Sequence, residues 1–167
     1  MKNIAFIVNP ISGTKTKNRV SKLIRESLDL QVFSPTVVTT EYAGHATQIA
    51  ANAVLEKVDV VVAIGGDGTI NEIARSLVHT DTALGIIPCG SGNGLARHLR
   101  IPMEPKAAID ILNHGYELQI DYGKINNIPF FCTCGVGFDA FVSLKFADSG
   151  KRGLLTYLEN TLHESLT

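Results

Sequence analysis

Short apolar runs alternate with helical patterns through the first two thirds of the chain, and this alternation limits the fold more than any other feature. Ile4-Ala5-Phe6-Ile7-Val8 runs unbroken to Asn9-Pro10. A continuous run of this kind suits a central strand buried on both faces. Val20, Leu23, Ile24 and Leu28 then recur at helical spacing, which predicts a helix over about residues 16–29. Thr36 to Thr40 is wholly β-branched and reads as a second strand. Gly44-His45-Ala46 opens a second helix through Ile49, Ala50, Ala53 and Val54, and Val58 to Ile64 is a third strand. A helix through Ile70, Ile73, Ala74 and Leu77, a strand at Leu84 to Ile87 stopped by Pro88, and a short helix at Leu95 to Leu99 continue the series. Pro105 opens a last helix, with Ala108, Ile109 and Leu112 on one face and Gly115 beyond its end. The order βαβαβαβα is that of an open, mostly parallel α/β sheet with right-handed crossovers.

The pattern changes at Gly115. Glu117 to Lys124 alternates, and Ile128 to Thr133 follows Asn126-Asn127, so an antiparallel hairpin is expected. Residues 139–146 and 154–166 read as helical. The expectation is an α/β domain over residues 1–115, followed at 116–167 by the start of a second, β-rich domain too short to close a core.

Three glycine-rich turns follow three strand ends: Asn9-Pro10-Ile11-Ser12-Gly13, Gly65-Gly66-Asp67-Gly68-Thr69 and Gly90-Ser91-Gly92-Asn93-Gly94. In open α/β sheets ligands bind outside the carboxyl ends of the strands. Glycine lets the backbone come close to a ligand and aim its N–H groups at a phosphate, which a helix N-terminus also attracts. One such turn is ordinary punctuation, whereas three on one edge favour a phosphate-bearing ligand. The Walker pattern G-x-x-x-x-G-K-[ST] is absent, G-x-G-x-x-G fails at Leu95, and G-x-S-x-G fails because Cys89 precedes Gly90-Ser91. Asp67, between glycines at the end of the third strand, reads as a carboxylate without a packing role. It could take up a hydrated magnesium ion or a hydroxyl proton, against the plainer reading of a turn or cap residue.

Charge and composition narrow the class. Fifteen Lys and Arg against sixteen Asp and Glu leave a net charge of −1, which argues against a nucleic-acid binder working by bulk charge. An odd count of three cysteines favours a reducing compartment, and Cys132 and Cys134 read as core thiols rather than a zinc pair. Met1-Lys2-Asn3-Ile4 does not open a signal peptide, and the longest apolar run, Val60 to Ile64, is too short to span a bilayer. Lys15, Lys17 and Arg19 read as a solvated helix face, and His79, His98, His114 and His163 as surface or structural residues.

Five blocks together resemble the diacylglycerol kinase catalytic domain family, which includes bacterial lipid kinases, sphingosine kinases and ceramide kinases and is distantly similar to NAD kinases. They are Asn9-Pro10 with Ser12-Gly13, Thr40 with Gly44-His45-Ala46, Gly65 to Glu72, Pro88 to Arg97, and Gly135-Val136-Gly137-Phe138-Asp139-Ala140. The resemblance implies an ATP-dependent lipid kinase using Mg²⁺, with the γ-phosphate passing to a diacylglycerol- or sphingosine-like hydroxyl. It implies nucleotide contacts at Asn9, Thr40, Gly65, Gly66, Asp67, Gly68, Thr69, Asn71, Glu72, Gly90, Ser91, Gly92 and Asn93, and assigns Asp67 and Asp139 as the catalytic acids. Gly94 departs from the pattern by replacing an acidic residue common in the family. The resemblance also implies a lipid substrate at a membrane surface and a cytoplasmic protein, peripheral at the inner membrane face. Because the family carries a complete β-sandwich second domain, a truncated lipid kinase is expected here. A catalytically inactive nucleotide-binding fragment and an NAD kinase-like enzyme are the alternatives. The Leu154, Leu155, Leu158 and Leu162 face could drive self-association into a homo-oligomer.

Overall fold

The computed structural model describes residues 1–11, 16–138, 140 and 141. Two compact units divide the chain, Met1–Cys132 and Thr133–Thr167. In the first, strands and helices follow one another as β1 (Lys2–Val8), α1 (Thr16–Ser27), β2 (Phe33–Thr39), α2 (His45–Leu55), β3 (Val60–Gly65), α3 (Asp67–Leu77), β4 (Ala83–Pro88), α4 (Gly94–His98) and α5 (Pro105–His114). A short hairpin follows, β5 (Gly123–Ile125) and β6 (Ile128–Phe130). The expected open α/β sheet is present: four parallel strands in the order β2-β1-β3-β4.

Strand alternation explains the two cores. Ala5, Ile7, Val61, Ala63 and Ile86 point to one face, where Ala46, Ala50, Ile70, Ile73 and Ala74 of α2 and α3 cover them. Ile4, Phe6, Val8, Val62, Ile64 and Ile87 point to the other face, against Ile24, Ala108 and Ile109 of α1 and α5. Each fully buried Ile or Val side chain contributes about 1.5–3 kcal/mol through removal from water. Both faces are covered, so β1 and β3 read as unbroken apolar runs rather than alternating ones.

Three expected strands differ most in extent, β2 and the two of the hairpin. β2 begins at Phe33, three residues before the β-branched run, and includes Pro35 opposite Ile4. Proline is tolerated because β2 is the edge strand and needs no outward N–H bond at that position. The hairpin is shorter than its sequence pattern: three residues on each side, in the register Gly123↔Phe130 to Ile125↔Ile128. Its turn is Asn126-Asn127, with φ of 48° and 63°. Left-handed values at both central residues make a type I′ turn, whose twist matches that of the strands.

Helix α5 starts as the sequence implies. Pro105 occupies the first turn, and the Glu104 carboxylate accepts the Ala107 N–H at 2.7 Å. Of the second unit, residues 133–138, 140 and 141 are described, and the Phe141 N–H donates to the Gly137 carbonyl at 3.0 Å. Asp139 and residues 142–146 of the helix expected at 139–146, the helix expected at 154–166, and the Leu154–Leu162 face lie outside the described residues, as do Ser12, Gly13 and Lys15. Among the described residues no helix is long and apolar enough to cross a membrane.

Candidate nucleotide-phosphate site

The strand order reverses at β1. The chain leaves β1 for β2 on one side and returns to β3 on the other, so a crevice opens beyond the carboxyl ends of β1 and β3. Asn9 lies at the end of one strand and Gly65 to Thr69 at the end of the other. Their side chains join across the crevice: Asn9 Nδ2 donates to Thr69 Oγ1 at 2.9 Å. Asn9 Oδ1 accepts the Ile11 N–H at 3.0 Å, which fixes the first turn as an Asx turn. Thr40 is buried at the end of β2, where its N–H donates to the Val8 carbonyl one residue before Asn9. Beyond it the Tyr42 and His45 rings stack in parallel with centroids 4.4 Å apart.

The second and third glycine turns touch. A Cβ on Gly90 would lie 2.6 Å from the Gly66 Cα, and one on Gly65 would lie 2.6 Å from the Thr69 Cβ. Glycine at 66 and 90 is therefore required for backbone to meet backbone, a packing reason rather than a ligand reason. Gly68 is different. It is exposed, and a Cβ there would meet nothing within 4 Å. Ser91 and Gly92 are exposed on the same pair of turns.

Asp67 has a structural partner, which corrects the expectation of a carboxylate without a packing role. Oδ2 accepts the Asn93 N–H at 2.8 Å and Oδ1 accepts the Gly94 N–H at 2.6 Å. These two charge-assisted bonds hold the third turn against the second. Asn93 closes its own turn from inside: it is buried, left-handed with φ 54°, accepts the Gly90 N–H at 2.9 Å and donates to the Gly90 carbonyl at 2.7 Å. Asn71 donates to the Asp67 carbonyl at 3.2 Å and accepts the Phe131 N–H at 3.2 Å, so its amide joins α3 to the hairpin. Glu72 is half-buried one residue on, and its backbone carbonyl accepts from Thr47 Oγ1 at 3.2 Å.

Apart from Thr40, buried beside β1, and Glu72, which is seen only through its backbone carbonyl, the expected residues at the glycine turns fall into two groups. Asn9, Gly65, Gly66, Asp67, Thr69, Asn71, Gly90 and Asn93 build a cross-linked frame. Gly68, Ser91 and Gly92 form its open rim. Inside that rim is the amino end of α3, an 11-residue helix whose N-cap, Gly66, offers no side-chain acceptor. Its first N–H groups lack intrahelical partners, and the helix dipole places partial positive charge there. The Asp67 carboxylate is turned to the third turn and no side chain caps the helix end, which has the character that attracts anions. The phosphates of ATP would suit an end of this character. For Mg²⁺, each Asp67 oxygen keeps lone-pair capacity beyond its N–H bond, enough to accept a metal-bound water. No group of three His, Cys, Asp or Glu side chains among the described residues could seat the ion alone. Magnesium normally relies on substrate phosphates and water with one or two carboxylates.

Several residues at or near the site were given no role there from sequence. Arg97 Nε donates to the Gly92 carbonyl at 2.8 Å and braces the third turn. Arg75 Nε donates to the Pro129 carbonyl at 2.9 Å, and the Tyr122 hydroxyl lies 2.9 Å from His79 Nε2. Asp67, Asn71 and Arg75 follow one another at intervals of four within α3 and so share a helix face, a spacing visible in the sequence, while His79 lies just beyond the helix end with φ 60°. Cys132, read from sequence as a core thiol, is exposed instead, as is Cys134. Both follow β6, where the hairpin is shorter than its apolar pattern. Cys89, behind Pro88, is the half-buried thiol, and burial pushes its pKa up.

Comparison with known proteins places this architecture. The diacylglycerol kinase catalytic domain matches residues 3–125. A diacylglycerol kinase of Bacillus subtilis (strain 168) is 36% identical over 141 residues, covering 82% of this chain and 46% of that protein. One from Staphylococcus saprophyticus is 34% identical over 131 residues, covering 77% of this chain and 43% of that protein. The crystal structure of a diacylglycerol kinase from Bacillus anthracis str. Sterne superposes with a TM-score of 0.70 at 27% identity, over 77% of this chain and 49% of that one. The chain spans about half the length of the curated relatives it matches. With the family match running from β1 through β5 and including all the described glycine turns, the chain belongs to the diacylglycerol kinase catalytic domain family.

Proposed function

We propose that this chain is the nucleotide-binding part of an ATP-dependent lipid kinase, which passes the γ-phosphate to a diacylglycerol- or sphingosine-like hydroxyl. The observation that carries the reading is the α3 amino end: it sits at the sheet's switch point, has no side-chain cap, and is bordered by the open Gly68. The triphosphate would lie against Gly68, Ser91 and Gly92, with Thr40 and Asn9 toward the nucleoside side of the crevice. ATP supplies the phosphoryl group, and Mg²⁺ held by its phosphates would offset their charge. This chain's own contribution is positioning and electrostatics, the terms that dominate phosphoryl transfer. Asp67 keeps the third turn in place by binding Asn93 and Gly94, and any proton it takes from an acceptor hydroxyl comes in addition to that task.

Residues 116–167 are read as the start of the β-rich second domain, with Asp139 an acid of the catalytic set. The acceptor is a lipid met at a membrane surface, on the cytoplasmic side, by a peripheral protein. The exposed side chains Tyr116, Leu118 and Ile120, 83%, 61% and 41% accessible, support association between copies.

The test is transfer of label from [γ-³²P]ATP to vesicles containing diacylglycerol or sphingosine, with and without Mg²⁺. The 167-residue chain should bind nucleotide but transfer little label, because proximity of the acceptor is worth about 7–11 kcal/mol of the barrier and the α/β half does not supply it. Joined to a complete second domain from a relative, it should transfer label in a Mg²⁺-dependent way. Absence of transfer to any lipid by such a fusion, with nucleotide bound, would favour the inactive nucleotide-binding reading.

A further inference from the structure

The outer edge of β6 is closed by a helix instead of a strand. In the hairpin register Ile125 faces Ile128 across a two-residue turn and Gly123 faces Phe130. The backbone groups of Ile128 and Phe130 therefore turn toward β5, and those of Pro129 and Phe131 turn away. The two outward groups are bound by α3 side chains: Arg75 Nε donates to the Pro129 carbonyl at 2.9 Å, and Asn71 Oδ1 accepts the Phe131 N–H at 3.2 Å. These replace the two bonds that a third strand would make. Pro129, which has no N–H, suits an edge where only its carbonyl is used. Just beyond the end of α3, His79 meets the Tyr122 hydroxyl at 2.9 Å.

The consequence reaches the glycine turns. Phe131 is buried and its N–H is fixed, so Cys132 is delivered over Gly94. A Cβ on Gly94 would lie 2.9 Å from Cys132 Sγ and 3.6 Å from Asp67 Oδ1. The thiol is exposed and stands beside Gly94, next to the Asp67 Oδ1 that braces the third turn. We propose that Arg75 is a positioning residue which, with Asn71, holds Phe131 and Cys132 as one wall of the nucleotide-phosphate site. The wall rests on the kinase reading above, whereas the docking of β6 by Arg75 does not. Arg75 itself touches no phosphate turn; it acts through the hairpin.

Two measurements on the full chain test this. In the first, amide hydrogen exchange is compared between the parent and Arg75→Ala without nucleotide. Residues 123–131 should exchange at least about tenfold faster in the variant, while β1 and β3 keep their protection and show that the fold is intact. Unchanged exchange over 123–131 would overturn the docking role. In the second, N-ethylmaleimide labelling of each cysteine is read by peptide mass spectrometry, with and without MgATP at a concentration shown by dialysis to saturate. Nucleotide should slow Cys132 labelling at least about threefold in the parent, and Arg75→Ala should lose most of that slowing while still binding nucleotide. A merely structural Arg75 would lower stability without changing this nucleotide-dependent difference. Saturation without slowing at Cys132, or full slowing retained in Arg75→Ala, would overturn the wall. A parent chain that retains no nucleotide in dialysis would refute the kinase reading and the wall with it, and the exchange comparison would still decide the docking.

Discussion

Asp67→Asn separates the structural from the chemical role of the residue that the sequence marks most strongly. The carboxylate accepts two backbone N–H groups, from Asn93 and Gly94, at 2.8 and 2.6 Å. Asparagine keeps one acceptor oxygen and presents an NH₂ to the other N–H, donor against donor. A hydrogen bond to a charged group contributes about 1.5–3 kcal/mol, and stranding a buried donor costs a comparable amount. Asp67 is only half-buried, so the lower half of those ranges applies, giving a loss of roughly 2–4 kcal/mol. For a domain of this size each kcal/mol lowers the melting temperature by roughly 2–4 °C, so a fall of about 4–16 °C is expected by circular dichroism. Nucleotide affinity should fall too, because the third turn is no longer tied to the second. A variant melting within about 1 °C of the parent would refute the bracing role and return Asp67 to chemistry alone. Loss of kinase activity in an Asp67 variant is therefore diagnostic only when its stability has been measured beside it.

Four further outcomes follow from the same geometry. Gly90→Ala puts a Cβ 2.6 Å from the Gly66 Cα, backbone that cannot yield, and should cost about 1–3 kcal/mol or more in chemical denaturation. Gly68→Ala, with open space around the new methyl, should melt at the same temperature or higher, since alanine in a helix gains up to about 1 kcal/mol over glycine; yet it should weaken nucleotide binding in dialysis by crowding the phosphate approach. Burial raises the Cys89 pKa, so its labelling by maleimide at pH 8 should lag behind that of Cys132; stability tied to the protonated thiol should persist at neutral pH and fall as pH rises above the ordinary thiol range. Sedimentation velocity should show association of copies that Leu118→Glu reduces, and a monomer at all concentrations would remove Tyr116, Leu118 and Ile120 as a contact.

The parallel sheet was legible because its central strands are buried on both faces. Burial of that kind writes itself into sequence as unbroken runs, Ile4 to Val8 and Val60 to Ile64, which nothing but a covered strand or a buried helix explains. β2 was legible only in part, since Ser34-Pro35 interrupts the apolar pattern and edge position, a tertiary property, is what admits the proline. Glu117 to Ile120 alternates as a strand would, but it lies outside β5, whose pairing begins at Gly123. Alternation records which face a residue could show, not whether a partner backbone lies beside it. At the site, the glycine turns and their common edge could be read from strand ends. Their mutual contact could not, because Gly66 meets Gly90 only once β3 and β4 are known to be neighbours. The same holds for Asp67, whose partners lie 26 and 27 residues ahead, and for Asn71, whose partner lies 60 ahead. Several residues assigned to ligand by resemblance thus proved to have work within the protein as well.

The most direct test of the central claim is a two-dimensional amide NMR titration of the folded chain with MgATP. The account predicts saturable binding, with the largest shifts at Gly68, Ser91, Gly92 and the first turn of α3, smaller ones at Thr40 and Asn9, and none along α5. No shifts at millimolar nucleotide in a folded sample, or a footprint centred away from the glycine turns, would contradict it.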